Sequence, residues 1–145
     1  MRHWLIKSEG DCYSIDDLKR DKRTAWTGIR NYQARNYLRE MRPGDLCLFY
    51  HSSSETTGVY GVAKVVGEPA ADETALDKKD EHYDPKHEWT AVEMAFVSKL
   101  AAPVSLEEIK NDRELSKMLV ARPGQRLSVM PVEEGHFKRV LEFKK

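Results

Sequence analysis

The segment "DLCLFYHS" (45–52) carries an unbroken apolar run from Leu46 to Tyr50, framed by "RPGD" (42–45) and the polar "SSSETT" (52–57). A strand with one face in water alternates apolar and polar residues, so an unbroken run reads as a strand covered on both faces. This segment demands a sheet with material packed on either side of it. The rest of the chain must supply those layers.

The supply is mixed. "HWLIK" (3–7) reads as a first strand and "KRTAW" (22–26) as a short one. "GVYGVAKVVGEP" (58–69) is β-branched and punctuated by glycine, the pattern of a bent strand in a tightly curved sheet. In "EWTAVEMAFVSKL" (88–100), period-two alternation puts Val92, Met94, Phe96, Ser98 and Leu100 on one face. "QRLSVMPV" (125–132) returns as a strand. Helices are marked by their caps. Ser14 opens a helical turn, and Asn31 opens a helix whose buried stripe is Ala34, Tyr37, Leu38 and Met41. Ser105 with Glu108 forms a capping box, Asn111 with Glu114 signals a second short helix, and "VEEGHFKRVLEF" (132–143) closes the chain as a helix. Residues 70–86 read as an acidic, irregular surface loop. Strands crowd the middle and helices decorate both ends, which predicts an α+β domain around a small curved sheet or barrel.

At 145 residues this is one domain, 1–145, with a core large enough to fold without metal or disulfide. No run of about 18 apolar residues occurs, so no membrane span is expected. The N-terminal apolar stretch is too short for a secretory signal, and an intracellular protein is expected. Cys12 and Cys47 fit no C-x-x-C or C-x-x-H pattern and read as one loop thiol and one buried thiol. Basic and acidic side chains number 24 each, which excludes coating of nucleic acid by bulk electrostatics. The charge is uneven: residues 67–94 hold 3 basic against 9 acidic side chains, leaving a local basic cleft possible elsewhere.

Chemistry gathers in "TAWTGIRN" (24–31). Asn31 as a cap leaves the amides of Tyr32 to Ala34 facing a ligand, Gly28 allows close backbone approach, and Arg30 brings a planar five-donor group. Trp26 adds a flat π surface, which with aimed donors suits a heterocycle. The bland alternative makes Trp26 core and Arg30 an ion-pair partner. Lys7, Ser8 and Glu9 end one strand, and Tyr50, His51, Ser52 and Ser53 end another, so these ends can converge on one pocket. His51 alone reads more readily as a structural histidine than as a base. Serine-elbow, P-loop, G-x-G-x-x-G and H-E-x-x-H motifs do not occur. His82, Asp84 and His87 resemble a metal cluster only on paper, in a charged loop with no helix or strand to order them. No cofactor, metal or catalytic residue is expected.

Taken in order, "WLIKSEG", "WTGIRNYQARNYLREMRPGDLCLFYHS", "GVYGVAKVV", "HYDP" followed by Trp89, "PVSLEEIK" and "RLSVMPV" resemble the EVE domain, the thymocyte nuclear protein family of the PUA-like superfamily. The resemblance spans nearly the whole chain. It implies a PUA-like fold, a small bent β-barrel flanked by helices, and a binding module for a modified nucleobase. That base, a modified cytosine or adenine in DNA rather than RNA, would be flipped into an aromatic and polar pocket. Pocket residues carried over are Lys7, Ser8, Trp26, Gly28, Ile29, Arg30, Asn31, Tyr50, His51, Ser52, Arg126, Leu127 and Ser128, with Tyr83 and Asp84 at the rim. In that reading the base stacks on Trp26, Arg30, Arg35 and Arg126 meet phosphates, and Trp26→Ala removes selectivity without unfolding the protein. A monomer is expected, cytoplasmic, or nuclear in a eukaryote. The competing readings are a small-molecule sensor or enzyme using His51 with Ser52 or Asp84, and a protein-interaction module using the acidic segment 67–94.

Overall fold

The computed structural model describes residues 1–52, 55–76, 79, 89–124 and 126–144. The chain runs β1 (His3–Ser8), α1 (Ile15–Asp21), β2 (Arg23–Trp26), α2 (Tyr32–Glu40), β3 (Leu46–His51), β4 (Gly58–Val65) and β5 (Ala70–Ala71). It continues through β6 (Thr90–Ser105), α3 (Leu106–Asn111), β7 (Val129–Val132) and α4 (Glu134–Glu142). The unbroken apolar strand is β3, and it sits inside the sheet as its pattern requires. The strand order is β2-β6-β4-β3-β1-β7, with β5 added beside β6. All pairings are antiparallel except β1 with β3, which run parallel. The α+β class holds. Among the described residues the pairing path is open, so the expected barrel is a strongly bent, unclosed sheet.

Glycine and bulges make the bend. At Gly58 an added Cβ would collide with the backbone of Val104 and Ser105; at Gly61 it would lie 2.5 Å from the Ser98 carbonyl and 2.7 Å from Ile15 Cγ1. These two positions let β6 press against β4. The β4–β6 register slips twice, between Val59 and Gly61 and between Val62 and Ala63. The second slip opposes Phe96 and Ser98 to adjacent residues of β4, so Val97 bulges and the alternation loses phase. Val92 and Met94 are buried, Phe96 and Leu100 only partly, and Ser98 is exposed. The predicted single face therefore ends at Met94. The strand also continues beyond Leu100 to Ser105, carrying Pro103 through the other irregularity.

Caps were legible. Ser14 and Ser105 each form a capping box, with Asp17 and Glu108 respectively, and Asn31 accepts from the Ala34 amide at 2.9 Å. Ala34, Leu38 and Met41 are fully buried, and Tyr37 packs partly against them. The cap expected at Asn111 belongs instead to Asp112, whose Oδ2 accepts from the amides of Glu114 and Leu115 and holds a short 3₁₀ turn. Asn111 is the last residue of α3. At the "RPGD" turn, Asp45 accepts from Trp4 Nε1 and from the amides of Arg2 and Arg42, tying the start of β1 to the turn. Cys12 is exposed and Cys47 buried, as expected.

Gly61→Ala is expected to destabilise the protein by about 1–3 kcal/mol, because the new methyl meets backbone on one side and Ile15 on the other. Urea unfolding measures this; an unchanged midpoint would show that the β4–β6 contact is not as tight as described.

Candidate functional site

The parallel register places Lys7 beside Tyr50 and Ser8 beside His51. Ser52 donates its amide to the Ser8 carbonyl, and the Lys7 amide donates to the Ser128 carbonyl, both within 2.9 Å. After β1 the chain folds back, the amides of Cys12 and Tyr13 both donating to the Glu9 carbonyl. Opposite this turn stands β2 and the segment that follows it. Between them lies a cleft of about 580 Å³, lined by Lys7, Ser8, Glu9, Cys12, Tyr13, Trp26, Thr27, Gly28, Ile29 and Ser128, with Thr24 and Ala25.

The sequence-predicted residues divide accordingly. Lys7, Ser8, Trp26, Gly28, Ile29 and Ser128 face this one cleft; Arg30, Asn31, Tyr50, His51, Ser52, Arg126 and Leu127 do not line it. Tyr83 and Asp84 lie outside the described residues, as do His82 and His87 of the paper metal cluster and Ser53. Among the described residues no group of acidic, histidine or cysteine side chains could hold a metal.

Three of these placements change the chemistry. Tyr50 is buried, and burial pushes its phenol up to about 12. His51 is buried too, its Nε2 accepting the Ile15 amide at 3.1 Å and its ring stacked 3.8 Å from Tyr60. Desolvation lowers its pKa, so the neutral ring closes the first turn of α1. Trp26 is only 8 % exposed and packs T-shaped against Phe49, ring centroids 5.5 Å apart, so little of its surface is left to the cleft it lines.

Lys7 has a different standing. Its ammonium is half-buried and lies 5.6 Å over the Tyr50 ring. Among the described residues it makes no hydrogen bond and no ion pair, and desolvation lowers its pKa.

The residue that organises the far wall was not foreseen. Asp72, in the segment read as surface loop, is 1 % exposed. It accepts from the Gly28 amide at 2.9 Å, from Arg30 Nη1 at 2.9 Å, from the Thr74 amide at 2.9 Å and from Thr74 Oγ1 at 2.6 Å. Desolvation alone would raise its pKa; the bonds from Arg30, Thr74 and Gly28 outweigh that and hold the carboxyl below the usual range. Gly28 has φ +79°, which any other residue would adopt under strain. Of the expected ligand donors, the Ala34 amide is thus taken by the Asn31 cap and Arg30 by Asp72 and Thr74 Oγ1 in the wall. The signal available in the sequence was the D-x-T spacing of Asp72 and Thr74, a local side-chain turn.

A larger groove, about 750 Å³, runs along α4, but its two cations are each paired with a carboxylate: Arg139 with Asp112, Lys138 with Glu134.

The EVE domain matches residues 2–143. Human thymocyte nuclear protein 1 is 36% identical over 96% of this chain and 72% of its own length. A protein from Pseudomonas syringae, solved by crystallography, superposes with a TM-score of 0.93 at 38% identity, covering 99% of both chains. The crystal structure of human THYN1 protein in complex with 5-methylcytosine containing DNA superposes with a TM-score of 0.90 at 35% identity, over 100% of this chain and 99% of that one.

Asp72→Asn is expected to lower stability by about 3–5 kcal/mol, since it leaves Arg30 and the Gly28 amide facing a neutral group. The folded pKa of Asp72 lies below its unfolded value. Its contribution is therefore complete above about pH 4 and is lost as pH falls through the lower folded value. Urea unfolding at neutral pH and near pH 3 checks both points: the gap between wild type and variant narrows in acid.

Proposed function

The chain belongs to the EVE domain family, and on that premise we propose that it receives a modified nucleobase of DNA in the cleft between the Lys7–Tyr13 turn and the Trp26–Ile29 wall. The Lys7 ammonium, which lies over the Tyr50 ring and has no hydrogen-bond acceptor among the described residues, carries this reading. A nucleobase edge offers the carbonyl or ring-nitrogen acceptor that such a donor lacks, while Trp26 and Ile29 supply apolar contact. The relative solved with 5-methylcytosine DNA makes a modified cytosine the first ligand to try.

Removing a base from a duplex stack costs a few kcal/mol, and the cleft recovers it from burial and from charge-assisted bonds. Arg126, exposed two residues before Ser128, is the cation this reading assigns to a flanking phosphate. The reading with His51 as a catalytic base has less support, because that side chain is buried, holds the Ile15 amide and does not line the cleft. No helix among the described residues is long and apolar enough to cross a membrane.

Trp26 is too deeply packed for its alanine variant to report on binding alone, since emptying such a site costs about 3–5 kcal/mol of stability. Lys7→Met is the cleaner change. Calorimetry against matched oligonucleotides carrying 5-methylcytosine, N6-methyladenine or no modification is expected to show preference for one modified form. Lys7→Met is expected to weaken that binding about tenfold or more, as loss of a charged hydrogen bond does. Equal weak binding to all three oligonucleotides would sink the proposal.

A further inference from the structure

Tyr32 is the first residue of α2, set there by the Asn31 cap, and it is 60% exposed. Among the described residues only Met1 and Val97 are other large hydrophobic side chains left so open. The ring is nevertheless braced. It stacks on Trp89, centroids 4.9 Å apart at 24°, and the Arg35 guanidinium lies 4.9 Å from it and 5.8 Å from Trp89. Trp89 is itself 7% exposed and has the Arg30 guanidinium 5.8 Å away. Arg30 is the residue that Asp72 ties to Gly28 in the cleft wall. One run of contacts therefore leads from the cleft to Tyr32, three residues beyond Ile29.

A tyrosine packed for stability would be buried, and one held for its hydroxyl would donate or accept through it; among the described residues the Tyr32 hydroxyl makes no hydrogen bond. What the fold presents is an aromatic surface, fixed in orientation and flanked by a guanidinium. Such a surface binds a flat heterocycle with little ordering cost, and the cation suits the phosphate beside it.

We propose that Tyr32, braced by Trp89 and Arg35, is a stacking platform for the base next to the one in the cleft. It rests on the reading of that cleft as a nucleobase site, and it names the partner further: a strand locally unstacked over at least two nucleotides, not an isolated base.

The test uses short single strands with one 5-methylcytosine, or an unmodified cytosine there, and 2-aminopurine on its 5′ or 3′ side. Wild type, Tyr32→Ala and Tyr32→Phe are compared by anisotropy and by 2-aminopurine fluorescence, with urea midpoints confirming that the exposed substitution leaves the fold intact. Tyr32→Ala is expected to weaken binding to modified and unmodified strands alike, by about 5- to 100-fold, leaving their ratio unchanged. Tyr32→Phe keeps the ring and stays within about twofold of wild type. Quenching of 2-aminopurine on one side accompanies binding of wild type and disappears in Tyr32→Ala. A wild type that prefers the modified strand, with Tyr32→Ala binding as tightly and quenching intact, overturns the platform and leaves the cleft standing. A wild type that binds no strand overturns both.

Discussion

The carboxylate of Asp72 is the point on which the site-bearing side of the molecule depends. A buried charge is tolerated only when its lone pairs are answered, and here four donors answer them from two separate stretches of chain. The Asp72 amide in turn donates to the Trp89 carbonyl, so the short β5–β6 pairing and the carboxylate fix each other. Gly28 can hold its left-handed turn because its amide ends on Asp72, and Arg30 is stretched across the same oxygen toward Thr74. Cleft wall and aromatic stack are thus two consequences of one buried anion.

That anion was the least legible feature in the sequence, and the reason is physical. A carboxylate in a segment rich in carboxylates reads as solvated, because Gly28 and Arg30, which supply two of its four donors and its counter-charge, lie more than forty residues away. What was legible was local. Ser14, Asn31 and Ser105 sit next to the amides they cap, so the residue type alone announces the helix start. Leu46 to Tyr50 announced a doubly covered strand by the same logic. The alternation of β6 failed at Val97 because the bulge is set by how β4 meets it, and Asn111 lost its cap to Asp112 because α3 runs one residue further than the pattern suggested.

The site was half legible for a related reason. Polar residues at the ends of two apolar strands do converge, because β1 and β3 pair in parallel and finish together. Which way each side chain turns is decided by the third dimension: Lys7 and Ser8 reach the cleft, while His51 goes to the α1 amide and Tyr50 into the core. Trp26 illustrates the overlap of the two readings of a tryptophan. It belongs to the core and still lines the cleft, so packing and a place in the cleft wall are not alternatives at that position.

Charge balance bears on how such a cleft would discriminate. Non-specific affinity for nucleic acid comes almost wholly from neutralised phosphates, and a chain with 24 basic and 24 acidic side chains has little of it to offer. On the proposed reading, affinity would be assembled from a few groups: an ammonium in a cleft, an aromatic side chain of its wall, a braced ring and the guanidinium beside it. A strongly basic protein would hold every strand and blur a difference of one methyl group. A neutral one leaves that difference as a large share of the total, because little binds without it.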